Sequence, residues 1–83
     1  MKPGDLVRVM HSVELWTKGV RIEGENPGGK FAGLFKYTEV GLIIQSNMME
    51  FVYTFKRYKT WRVCTSKGVV GWVHDERYLT RVW

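Results

Sequence analysis

Gly68-Val69-Val70-Gly71-Trp72-Val73-His74-Asp75-Glu76-Arg77-Tyr78-Leu79 reads as a β-strand that runs into one tight turn. Valines and a tryptophan set between two glycines suit a strand lying close against its neighbours. The polar run His74 to Arg77 then redirects the chain, with Asp75 as the cap of a single helical turn, and Tyr78 and Leu79 return to the core. Trp72 and Val73 are accordingly assigned to the interior.

Immediately upstream, Ser66-Lys67-Gly68 is a tight hairpin signal, and it joins this strand to Lys59-Thr60-Trp61-Arg62-Val63-Cys64-Thr65. That segment alternates Trp61, Val63 and Thr65 against Arg62 and Cys64, the period of a half-buried strand. Phe51 to Phe55 is also strongly β-forming. Ser46-Asn47 is a turn candidate, with Met48 and Met49 at a strand end or in the loop, and it follows a central strand Glu39 to Gln45 in which Gly41 predicts a bulge or a close backbone crossing. Phe31 to Tyr37 leads into that strand.

Towards the N-terminus, Pro3-Gly4-Asp5 is a turn, and Leu6 to Met10 is a first strand with Val7 and Val9 facing inward. Val13-Glu14-Leu15-Trp16 resumes the alternation and leaves Trp16 partly exposed. Between Thr17 and Lys30 the chain carries four glycines and a proline among charges, a composition of turns that cannot sustain a ladder. Connections beyond about 12 residues are uncommon in compact domains, and they serve binding or remain disordered. Leu79 to Trp83 closes the chain as a last strand.

One domain of 83 residues has a thin stability margin, and its 14% aromatic content supplies much of the core. The single Cys64 excludes an internal disulfide, no leader-like apolar run opens the sequence, and no window reaches the ~18 apolar residues of a membrane span. These features predict a complete, soluble, cytoplasmic protein. Short strands joined by turns in so short a chain predict an all-β fold, a single small barrel of five or six strands with one 3-10 turn before the last.

The run Trp61-Arg62-Val63, the Ser66-Lys67-Gly68 hairpin, Gly71-Trp72-Val73, the turn Asp75 to Tyr78 and the strand Leu79 to Val82 resemble bacterial SH3-like (SH3b-type) domains. Pro3-Gly4-Asp5-Leu6-Val7-Arg8-Val9 is similar to the first strand of many SH3-like barrels, and small stand-alone SH3-like proteins of tailed bacteriophages look similar too. The resemblance implies a binding or assembly module. Where cell-wall-targeting members carry a Leu-Asn-Val-Arg-Ser-Gly-Pro run, this chain has Val13-Glu14-Leu15-Trp16-Thr17-Lys18-Gly19. It also lacks the Ala-Leu-Tyr-Asp-Tyr run of eukaryotic SH3 domains.

Three kinds of partner follow, in order of expectation. Trp16, Phe31, Phe35, Tyr37, Tyr58 and Trp83 are the aromatics least committed to the core; Trp16, Phe35, Tyr37 and Tyr58 are the candidates to line a groove for a protein or peptide, a second copy included. Lys56, Arg57, Lys59 and Arg62 surround Tyr58 and Trp61, as phosphate contact and base stacking would require in a nucleic-acid-binding, KOW-like module. The same lysines and arginines would equally protect a hairpin edge from strand addition. The net charge of +5 favours polyanions without conferring specificity. Peptidoglycan is the third candidate. His11, His74 and Cys64 supply no ligand-spaced metal set and no evident nucleophile–base pair, so neither catalysis nor a cofactor is expected.

Overall fold

In a computed structural model of the chain, residues 1–18, 29–50, 57–74 and 76–82 are described, the side chains of 48–50 and 57–58 excepted. The described residues form seven strands in one antiparallel sheet: β1 (Leu6–Arg8), β2 (Val13–Trp16), β3 (Phe31–Phe35), β4 (Gly41–Glu50), β5 (Arg57–Thr65), β6 (Val70–Val73) and β7 (Thr80–Arg81). A 3-10 turn, Glu76–Tyr78, precedes β7 as expected. Strands lie in the order β3-β2-β6-β5-β4-β1-β7, so the count exceeds the five or six expected and β3 and β7 end the sheet. The expected Phe51 to Phe55 strand and the Asp75 cap fall outside the described residues.

The extra length comes from β4 and β5. Ser46 and Asn47, expected to turn, instead continue β4 in register with Trp61 and Thr60, and Met48 and Met49 follow them opposite Lys59 and Tyr58. Local turn preference yields because every residue there gains a ladder partner on β5, and the Thr60 hydroxyl donates to the Asn47 carbonyl at 3.4 Å. The irregularity near Gly41 lies two residues further on, as a register shift between Ile43 and Gln45.

The core is the cluster Val7, Val9, Leu15, Phe35, Ile43, Trp61, Val63, Val73 and Leu79. Val7 and Val9 face inward as the alternation requires, and Trp61 and Val63 do so on β5. Gly71 and Val73 face this core from β6, which sends Trp72 to the other side of the strand. Trp72 is still buried, but in register with Arg62 and Trp16 rather than within the main cluster. Tyr78, expected to return inward with Leu79, is 55% exposed on the 3-10 turn. At Gly71 the β2–β3 hairpin crosses so closely that an added Cβ would stand 2.6 Å from Leu15 Cβ and 3.2 Å from Ala32 Cβ. Between β5 and β6, Gly68 turns the chain at φ 83°, donating its N–H to the Thr65 carbonyl at 2.9 Å.

The N-terminal turn is tied to the last strand through Asp5, which is 2% exposed. Its Oδ2 accepts the Lys2 N–H at 3.0 Å and lies 3.7 Å from Arg81 Nε. Arg81 is half in solvent, so the ion pair contributes little, and the main effect is to satisfy a backbone donor. Asp5→Ala is therefore expected to lower stability by about 1–2 kcal/mol in urea titrations. The loss should persist at high salt; a loss that vanishes there would make the ion pair the dominant interaction.

Candidate functional site

Thr17 closes the base of the long connection. Its N–H donates to the Lys30 carbonyl at 3.0 Å, and its Oγ1 accepts the Lys30 N–H at 3.0 Å. His74 Nε2–H donates to the Lys18 carbonyl at 2.8 Å, which ties the end of β6 to the start of the same connection and leaves His74 Nδ1 enclosed without a partner among the described residues. The strand ends on either side of this connection are thereby held, and they present Trp16 and Phe31.

These two rings meet edge to face, with centroids 6.1 Å apart and planes at 80°, a geometry favoured by the aromatic quadrupole. Trp16 is half-buried and in register with Trp72, whereas Phe31 is 56% exposed. Phe31 thus offers a flat apolar face at the mouth of the 17–30 connection, backed by Trp16.

The other aromatic candidates do not join them. Phe35 is fully buried in the core, a correction to its expected place in a groove. The alternation of β3 breaks at the irregularity in its pairing with β2, where Leu15 is opposite Gly33 and Trp16 opposite Phe31, so that Ala32 is an extra residue: Phe31 faces solvent while Phe35 faces in. Tyr37 is 62% exposed in the turn between β3 and β4, six residues of chain from Phe31 and so up to about 20 Å along an extended path. Tyr58 lies on β5 opposite Met49, and its side chain is not among those described.

The basic cluster divides as well. Lys59 Nζ sits 5.6 Å from the centroid of the Trp61 ring, within cation–π range on the inward-facing side of β5. Arg62 leaves the strand on the opposite side, in register with Gln45 and Trp72. Arg57 is on β5 opposite Glu50, and Lys56 lies outside the described residues. Lys59 and Arg62 therefore do not form one phosphate-tracking face.

Among the described residues no group of three His, Cys, Asp or Glu is placed to hold a metal ion, and no helix is long and apolar enough to cross a membrane. Comparison with known proteins returns no matching family model, curated protein or solved structure.

Proposed function

We propose that the chain is a small SH3-like barrel that acts as a non-catalytic binding module for a protein or peptide, with Trp16 and Phe31 as its contact residues. The element order supports the barrel: a first strand flanked by the last strand and by β4, a hairpin with a long connection, two successive hairpins, and a 3-10 turn before the final strand. The edge-to-face Trp16–Phe31 pair carries the binding role. A ring already braced in its bound orientation loses little rotamer freedom on association, and exposed aromatics of this kind dominate the energetics of protein interfaces.

Selection of a random-peptide display library against the immobilised protein tests this. A peptide family is expected whose binding survives about 1 M salt, where the screening length is roughly 3 Å. Phe31→Ala and Trp16→Ala should each weaken it about tenfold or more, and Tyr37→Ala should leave it unchanged. Binding that tracks Tyr37 instead would move the site. Retention of DNA or RNA alone, lost steeply as salt rises, would replace the peptide partner with a nucleic acid.

A further inference from the structure

The outward face of the sheet carries an apolar row that no local stretch of sequence displays. Leu6 on β1 is in register with Leu42 on β4, Leu42 with Cys64 on β5, and Cys64 with Val70 on β6. Val82 extends the row beyond β7, since its N–H donates to the Leu6 carbonyl at 3.0 Å. Ile44, the residue added by the β4 register shift, stands beside Leu42. Leu6, Leu42, Ile44, Val70 and Val82 are each 38–41% exposed, and Cys64 is partly so. A sheet with one face in water ordinarily alternates apolar-in with polar-out, and at this register every outward position is apolar.

We propose that this row docks an amphipathic helical segment of another protein, with acidic residues flanking its apolar stripe. Charge selects the flanks. The next outward positions are Arg8 on β1 and Arg62 on β5, neither in an ion pair among the described residues, and no carboxylate occupies an outward position of β1, β5, β6 or of β4 as far as Asn47. The same arginines disfavour a second copy, because either two-fold axis that lays the row on itself gathers the arginines of both copies on the same flanks with no outward carboxylate on β1, β5 or β6 to offset them. Area agrees: a few half-exposed side chains offer several hundred Å², short of the roughly 800 Å² per partner of a standard stable interface. The helical form follows from the backbone. The strands beneath are already paired on both sides, so an extended segment laid across them would have unpaired amides against an apolar surface, whereas a helix satisfies its own. From Leu6 to Val70 the row covers three inter-strand spacings, about 15 Å, or roughly ten helical residues.

Cys64 lies within the row and reports its occupancy. A display library of helix-forming segments about three turns long would be selected against the intact protein and counter-selected against Leu42→Glu, an outward change that leaves the core alone. Enriched segments should carry apolar residues at i, i+3 or i+4 and i+7 with Asp or Glu beside them, and should slow Cys64 alkylation by iodoacetamide about tenfold or more. Leu42→Glu should abolish this protection, Arg62→Glu should shift the preference towards basic flanks, and Phe31→Ala should have no effect, which separates this surface from the Trp16–Phe31 site. The proposal fails if no segment is enriched or if the enriched segments leave Cys64 alkylation unchanged. It fails equally if the protein sediments as a dimer that Leu42→Glu dissociates, or if only anionic phospholipid vesicles protect Cys64.

Discussion

Trp61→Ala is expected to remove the cooperative thermal transition, while Trp72→Ala keeps one at a lower midpoint. Trp61 is 1% exposed, heads the fully buried side chains by size and sits in the cluster with Val7, Phe35, Val63 and Val73. Truncating a buried tryptophan costs about 3–5 kcal/mol, because the cavity adds to the lost transfer energy. A margin of about 0.05–0.15 kcal/mol per residue gives a chain of 83 residues about 4–12 kcal/mol in all, of which this loss is a large share. Trp72 lies outside the cluster on the other side of β6, where water can reach the vacated space, so its loss approaches the transfer contribution alone, about 1.5–3 kcal/mol. Circular dichroism melts and urea titrations of the two variants give the ranking directly. A Trp72→Ala protein less stable than Trp61→Ala would mean that the packing around Trp72, not the cluster around Trp61, holds the fold. Trp61→Phe refines the test. The Trp61 Nε1 is buried with no acceptor among the described residues, and an unmet buried donor costs about 1–3 kcal/mol. Phenylalanine removes that penalty along with some volume, so Trp61→Phe should remain within about 1 kcal/mol of the parent.

The difference between the two tryptophans shows what the sequence could express. The alternation of Trp61, Val63 and Thr65 against Arg62 and Cys64 is a strictly local period, and the strand obeys it. The Ser66–Gly68 hairpin is local chemistry too. Trp72 and Val73 share one strand signal and both are buried, yet adjacent strand residues face opposite ways, and the burial of Trp72 depends on β2 crossing nearby. Phe35 was obscured for a related reason: the extra residue Ala32 in the β2–β3 ladder puts Phe31 and Phe35 on opposite sides, and nothing in the local alternation marks it. Ser46-Asn47 has turn composition, and only its partnership with β5 makes it strand. The candidate surfaces were less legible still. Phe31 and Trp16 are fifteen positions apart and meet because the hairpin base at Thr17 and Lys30 closes. Leu6, Leu42, Cys64 and Val70 each look like an ordinary strand former, and their alignment exists only in the register of four strands.

Gly41→Ala should destabilise the protein although it adds a single methyl group. Gly41 starts β4, an interior strand of the sheet, and is paired with Val7 on β1 and Thr65 on β5. A Cβ there would collide with Val63 Cγ1 and stand 2.8 Å from both Cε2 and Cζ of Phe35. Both neighbours are fully buried, so neither can swing into solvent, and relief requires the core to shift. Overpacking of this kind costs about 1–3 kcal/mol. In a domain of this size each kcal/mol moves the midpoint by about 4–8 °C, so a drop on the order of 10 °C is expected. The mechanism predicts a rescue. Phe35→Leu alone opens space and should itself be destabilising, but joined to Gly41→Ala it accommodates the new methyl, so the double variant should be more stable than the sum of the single losses by about 0.5 kcal/mol or more. Strict additivity would show that the methyl is absorbed elsewhere and that the Phe35 ring does not confine Gly41.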